Sequence, residues 1–285
     1  MKTAVITTAG LGTRLLTYTK ANPKTMLPLY EKDSSNSEPI LRPLLENIFN
    51  NLYDNGFRRF CFIVGTKNKK TILSHMIPDY DYINLLKKRN NKYDNRFIKA
   101  LLKYYKKYEN CEIKWISQNT PMGFGHALLS SKKFVGNEKF LLHAGDAYFP
   151  NYNFLKNFIK SSDAKINPAA TLLLQFKKTL KGFGIAQTKK NKPFDIVFHV
   201  EEKPKKPLSN LVILPVYIMK PSIFEALSKT ELGHNHELQV TDAIATLINS
   251  DQKVNALNFK NNKWFDIGTT TQYYRALTHS YKISQ

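Results

Sequence analysis

Residues 2–8 (KTAVITT) are apolar and β-branched, the mark of a buried strand. The run ends in a glycine-rich turn at Gly10–Gly12. The polar stretch EKDSSNSEP (31–39) reads as a surface loop, and the spacing beyond it predicts a helix over about 40–55. FRRFCFIVG (57–65) is a second strand closing at Gly65, and 68–77 is a short helix. Between 80 and 108, Ile83, Leu86, Phe97, Leu101, Tyr104 and Tyr108 recur at helical spacing among lysines, which predicts two amphipathic helices with aromatic residues in the core. CEIKWIS (111–117) is a third strand leading through the glycine-rich QNTPMGFGHALL into a helix. KFLLHAGD (139–146) is a strand that ends on an acid. Further strands are expected at 169–176, 184–187, 195–201, 211–218 and 253–259, and helices at 221–228, 237–250 and 270–282, with a WFDIGT turn before the last.

Strands that alternate with helices imply an α/β fold, with a mainly parallel (mixed) central sheet flanked by helices on both faces. No internal repeat or long linker interrupts the pattern, so residues 1–285 are read as a single domain. Ligands of such sheets bind beyond the carboxyl ends of the strands, where the glycine-rich turn and the acidic strand end fall.

Composition changes this picture little. No apolar run approaches the roughly 18 residues of a membrane span, and the apolar part of the N-terminus is shorter than the ~7–15 residues of a signal core. A cytoplasmic protein with no membrane role is expected. Cys61 and Cys111 belong to no metal or redox motif and read as buried small hydrophobes. Lys and Arg number 43 against 22 Asp and Glu, a net charge of +21. Such a surplus brings polyanions into question. The lysines are scattered, though, often beside Asn (KKRNNKYDN, FKNNKW), so a solvated surface is expected and no specific nucleic-acid partner.

The candidate chemistry begins at AGLGTRLLTYTKANPKTMLPL, from Ala9 to Leu29. Gly10 and Gly12 allow the backbone to approach an anion and aim amides at phosphate oxygens. Arg14 offers a planar fork and Lys24 a mobile point charge, which together neutralise different parts of a triphosphate. The third glycine of a dinucleotide fingerprint is missing, and so is the Gly-Lys-Ser/Thr of a Walker loop.

With Thr13, Arg14 and PKTMLP attached, the segment resembles the signature of the sugar-1-phosphate nucleotidyltransferases, specifically the bacterial and archaeal UTP–glucose-1-phosphate uridylyltransferase branch. The resemblance runs from Thr3 to about Tyr274 through AGLGTR, PKTMLPL, QNTPMGFGHALL, GD, KGFGIAQ, VEEKPKKPLSNL, HELQVTDAI and FDIGT, in the family's order. It implies a Rossmann-like nucleotidyltransferase fold. Two features favour the uridylyl branch over the thymidylyl one: the helical insertion at about 79–110 and the wording HELQVTDAI.

The resemblance also implies roles. Ala9, Gly10, Gly12, Thr13, Arg14, Lys24, Gln118, Gly123 and Gly145 match nucleotide-binding positions; the Gln118 amide suits the edge of uracil, and Gly123 leaves room for a flat ring. Asp146 and Asp266 match the ligands of a magnesium ion, which needs only one or two carboxylates besides phosphate oxygens and water. Gly184, Glu202 and Lys203 match the sugar-phosphate site. Glu201 should face the other way if its segment is extended, Lys205 and Lys206 read as solvated charge, and His143 as a packed strand residue.

The implied substrates are UTP and glucose 1-phosphate and the products UDP-glucose and pyrophosphate. Arg14, Lys24, Lys203 and Asp146 would carry the catalysis, in a homodimer or homotetramer. Two departures stand out: Thr17 replaces a usual proline, and DSSNSE forms an extra loop near the site entrance. A thymidylyltransferase, an N-acetylhexosamine-1-phosphate uridylyltransferase and a nucleic-acid-binding protein are the alternatives.

Overall fold

The computed structural model describes residues 1–32, 38–89, 92–163, 167–260 and 262–285, without the side chains of residues 92–94. Most of the expected loop at 31–39, residues 33–37, therefore lies outside the described residues.

Strand β1 (Thr3–Thr7) leads through a 3₁₀ turn and helix α1 (Leu16–Thr19) to a small hairpin, β2 (Pro28–Glu31) and β3 (Ile40–Pro43). Helix α2 (Leu44–Asp54) follows. The helix expected over 40–55 thus starts later, behind a strand. Pro43 explains the shift: a residue before proline is pushed out of the helical region, so Arg42 extends and pairs with Leu29, and the helix begins after the ring.

Strand β4 (Arg59–Gly65) and helices α3 (Lys69–Met76), α4 (Tyr80–Lys88) and α5 (Lys92–Glu109) precede β5 (Glu112–Gln118). Helices α6 (Phe124–Ser130) and α7 (Lys132–Val135) lead to β6 (Phe140–Ala144), then β7 (Ala147–Tyr148). Residues that the hydrophobic pattern left unassigned fold as α8 (Leu155–Ser162). The second half comprises β8 (Ala170–Phe176), β9 (Ile185–Lys189), β10 (Asp195–Glu201), β11 (Leu211–Met219), α9 (Ser222–Lys229), α10 (Val240–Asn249), β12 (Val254–Asn258), β13 (Phe265–Asp266) and α11 (Thr270–Ser284).

Nine strands form one sheet in the order β5-β4-β1-β6-β11-β8-β12-β10-β9. The first four are mutually parallel, whereas β11 runs antiparallel to β6 and β8, so the sheet is mixed. The period of two along each strand divides the core. Ala4 and Ile6 of β1 and Phe60 and Phe62 of β4 pack on one face with Phe49 of α2 and Tyr104 of α5. Val5, Cys61 and Ile63 pack on the other with Leu128 of α6, Phe224 of α9 and Ile244 of α10.

Of the aromatic residues of the 79–110 region, Tyr104, Tyr105 and Tyr108 serve this core, whereas Tyr80, Tyr82 and Phe97 are exposed. Tyr104 is buried edge-on against Phe49 and donates its hydroxyl to the Met76 carbonyl oxygen at 2.6 Å. Trp115 stacks on Phe62 with ring centroids 4.4 Å apart. Cys61 is buried, which pushes its thiol up to about 12, while Cys111 is only half-buried. Among the described residues, no helix is long and apolar enough to cross a membrane.

Candidate active site

The carboxyl ends of β1, β5 and β6 open onto a cleft of about 630 Å³. Ala9, Gly10, Gly12, Thr13, Arg14, Lys24, Gln118, Gly123, Asp146, Gly184, Glu202, Lys203 and Asp266 all line it. Residues from opposite ends of the chain are thus gathered at one place.

After β1 the chain turns at Gly12, whose φ of 65° lies in the left-handed region. A Cβ there would meet the Thr19 side chain at 2.9 Å, and the Thr19 hydroxyl donates to the Gly12 carbonyl oxygen. The turn presents Thr13 and the exposed Arg14 to the cleft. Lys24 follows Pro23 in a short 3₁₀ segment, lies along Gly10 and pairs through its ammonium with Asp146 Oδ2.

Asp146 stands just past β6. Asp266 reaches it through the antiparallel ribbon of β7 and β13, in which Asp266 pairs with Ala147 and the Ile267 amide donates to the Asp146 carbonyl oxygen at 2.9 Å. Burial would push the Asp146 carboxyl up, but Lys24 outweighs it and holds the group below its usual range. Asp266 is pushed up by burial and then by the Asp146 charge, with Lys24 and Arg14 opposing. Two half-buried carboxylates that raise each other's cost of ionisation suit a divalent cation, which removes that repulsion. Among the described residues no cage of three or more acidic, His or Cys ligands forms. The two carboxylates of Asp146 and Asp266 are a donor set that fits magnesium, which needs one or two carboxylates besides phosphate oxygens and water.

Gln118 closes β5 with its amide nitrogen 2.8 Å from His126 Nδ1 and 3.4 Å from the Gly123 carbonyl oxygen. Its Oε1 is left as an acceptor among the described residues, the partner an imide N–H requires. Gly123 has a φ of 98°, and a Cβ would come within 2.7 Å of both the Glu237 Cβ and the Leu238 carbonyl oxygen. Its lack of a side chain thus admits the neighbouring segment at Glu237–Leu238.

On the far side, β10 ends at the exposed Glu201, and the chain bends at Lys203, a non-glycine residue with a φ of 47°. In an extended strand Glu202 and Lys203 would point to opposite faces; the left-handed residue turns both into the cleft. Lys203 Nζ lies 3.0 Å from Glu202 Oε1. Lys205 and Lys206 are exposed.

One expectation takes a different form, and the reading of His143 as a packed strand residue holds. Gly145 is absent from the cleft lining and packs under it: its amide donates to the Thr7 carbonyl oxygen at 2.8 Å, and a Cβ would sit 2.7 Å from that same oxygen. Gly145→Ala is therefore expected to destabilise the fold by about 1–3 kcal/mol, because backbone must shift. An unchanged urea midpoint would exclude that role. His143 is buried away from the cleft, its Nε2 2.9 Å from the Tyr152 hydroxyl, and burial lowers its imidazole to about 4.

The cleft also contains residues that carry no role in the motif reading, among them Phe183, Tyr217, Glu237, Gln239, Thr241 and Trp264. Three belong to the segment HELQVTDAI, which marks a branch without saying which side chains enter the site.

The family model for nucleotidyl transferases matches residues 3–282, and the chain belongs to that family. Its relatives include a putative UTP–glucose-1-phosphate uridylyltransferase of Methanocaldococcus jannaschii, 30% identical over 97% of this chain and 92% of that protein. The UTP–glucose-1-phosphate uridylyltransferase of Mycoplasma pneumoniae is 31% identical, over 97% of this chain and 91% of its own. Among solved structures, a UDP-glucose pyrophosphorylase complexed with UDP-glucose superposes with a TM-score of 0.82 at 26% identity, covering 99% of each chain.

Proposed function

We propose that this chain transfers the uridylyl group of UTP to glucose 1-phosphate, giving UDP-glucose and pyrophosphate, with magnesium and in the cytoplasm. One observation carries the reading: the Gly10–Arg14 turn, Lys24, the Asp146–Asp266 pair, Gln118 and the Glu202–Lys203 bend share a single cleft. The full-length similarity to proteins named for this reaction supports the choice of substrates.

A phosphate oxygen of glucose 1-phosphate attacks the α-phosphorus of UTP. The bond to the β-phosphate breaks, and pyrophosphate leaves with the electron pair. The attacking group is already an anion, so no strong base is required. The barrier lies in bringing two anions together and in the charge left on pyrophosphate.

Amides of the Gly10–Thr13 turn and the Arg14 guanidinium hold the β- and γ-phosphates. Lys24 neutralises charge at the α-phosphate, and Lys203 draws in the attacking phosphate. Glu202 accepts hydrogen bonds from sugar hydroxyls while the Gly184 backbone lies against the ring. Gln118 takes the base. Asp146 and Asp266 would hold magnesium, which when bound neutralises phosphate charge.

Pyrophosphate release from a panel of nucleoside triphosphates and sugar 1-phosphates tests the reading. UTP with glucose 1-phosphate should turn over fastest, and EDTA should abolish turnover. Faster reaction with dTTP or with an N-acetyl sugar would replace the substrate choice, and EDTA-insensitive turnover would remove magnesium.

A further inference from the structure

The carboxylate of Glu202 has two oxygens held by different groups. Oε1 faces the Lys203 ammonium at 3.0 Å, and Oε2 accepts from the Thr241 hydroxyl at 2.7 Å. Thr241 is 5% exposed and lies in the first turn of α10, thirty-nine positions further along the chain. A Cβ on Gly184 would come within 3.0 Å of both Glu202 Oε2 and Thr241 Oγ1, so this bonded pair forms the wall beside the Gly184 backbone.

We infer that Thr241 is a positioning residue for the sugar-phosphate half of the reaction, fixing the rotation of the Glu202 carboxylate and thereby leaving the Lys203 ammonium available to the phosphate. The inference rests on the proposed reaction and deepens it.

The physical case has three parts. First, the terminal torsion of a glutamate is broad, so one contact does not fix the carboxylate plane; two contacts to different oxygens do. Second, the charges beside Glu202 are unbalanced. Lys203 alone would draw in the whole carboxylate, and Asp242, the next residue of α10, is raised by burial and then by the Glu202 charge, with Lys203 opposing. A neutral hydroxyl on Oε2 holds that oxygen back from the lysine without adding charge.

Third, Thr241 is itself rigid. Its branched side chain has few rotamers. The segment before it is tied to the base-side loop, with the Leu238 amide donating to the Met122 carbonyl oxygen at 2.9 Å and the Gly125 amide to the Leu238 carbonyl oxygen at 2.8 Å. The strap from Leu238 to Thr241 therefore references the sugar carboxylate to the loop that takes the base.

Steady-state kinetics of Thr241→Val, Thr241→Ser, Glu202→Gln and the Thr241→Val/Glu202→Gln double variant test this. Valine keeps the shape and removes the hydroxyl; loss of one hydrogen bond to a charged group predicts on the order of a tenfold rise in KM for glucose 1-phosphate. The KM for UTP and kcat should stay within about twofold. Serine should restore most of the loss, and valine should add little in the Glu202→Gln background. Wild-type kinetics for Thr241→Val, an equal rise in both KM values, or an undiminished effect without the glutamate would each overturn the inference while leaving the reaction in place. Absence of wild-type turnover with UTP and glucose 1-phosphate would remove both.

Discussion

Asp146→Asn is expected to lower kcat by about three orders of magnitude while the protein still folds. The substitution is nearly isosteric and removes one charge where three groups depend on it. Lys24 pairs with Asp146 directly, Asp266 is raised in part by its charge, and any divalent ion held there loses one of two carboxylates. Breaking a fully buried ion pair costs several kcal/mol, but Lys24 and Asp146 side chains keep 15% and 26% of their exposure, and the asparagine oxygen still accepts from the ammonium. The fold should therefore survive with a modest loss.

Acid titration offers an independent reading. The folded-state carboxyl of Asp146 is depressed, so it contributes stability above the unfolded carboxylate range that is lost as pH falls through the lower, folded value. The asparagine variant should lack that part of the acid-induced loss. Removal of the neighbouring charge should also bring the Asp266 carboxyl down towards its ordinary value. Turnover within about threefold of the parent protein would refute the role given to Asp146.

The sequence showed what is local. Gly10, Gly12, Thr13 and Arg14 read as a candidate phosphate loop because a turn, its amides and its cation fall within a few residues after a strand. Strand and helix types were legible where runs are long, as in β4 or α5. The β2–β3 hairpin was not, since four-residue strands carry almost no period and only Pro43 shows where the helix must begin. The mixed half of the sheet depends on which distant strands pair, such as β8 with β12, and no window of sequence contains that choice.

The same division runs through the site. Asp146 is signalled by ending an apolar strand, but its meeting with Asp266 depends on the register of a two-residue ribbon. Glycines are ambiguous on paper: Gly123 borders the cleft while Gly145 packs beneath it, although a Cβ on either would strike a backbone carbonyl oxygen at 2.7 Å, and only the folded cleft separates them. Thr241 has no local signature at all. Its hydroxyl gains a role only when α10 docks beside the end of β10.

Lys203→Ala should reduce kcat/KM for glucose 1-phosphate by roughly a hundred- to a thousandfold, mostly through KM, with the KM for UTP nearly unchanged. The size follows from charge: two unit charges about 4 Å apart interact by ~4 kcal/mol at a partly screened site, and each 1.4 kcal/mol or so is tenfold. Lys203 is 31% exposed at its side chain, which keeps the effect below the thousandfold limit. The backbone adds little of its own, because alanine at a φ of 47° is strained as lysine is. Lys203→Gly serves as the control: it should be as inactive as alanine yet more stable by about 1 kcal/mol, since glycine adopts that conformation freely. Glu202 keeps its contact with Thr241 in both variants but loses the one with lysine, so a smaller part of the loss should come from a carboxylate no longer held at both oxygens. Lys203→Arg should recover only part of the activity, because a planar fork on a longer arm cannot reproduce a point charge beside Glu202. An unchanged affinity for glucose 1-phosphate in Lys203→Ala would transfer the attacking phosphate to another cation of the cleft.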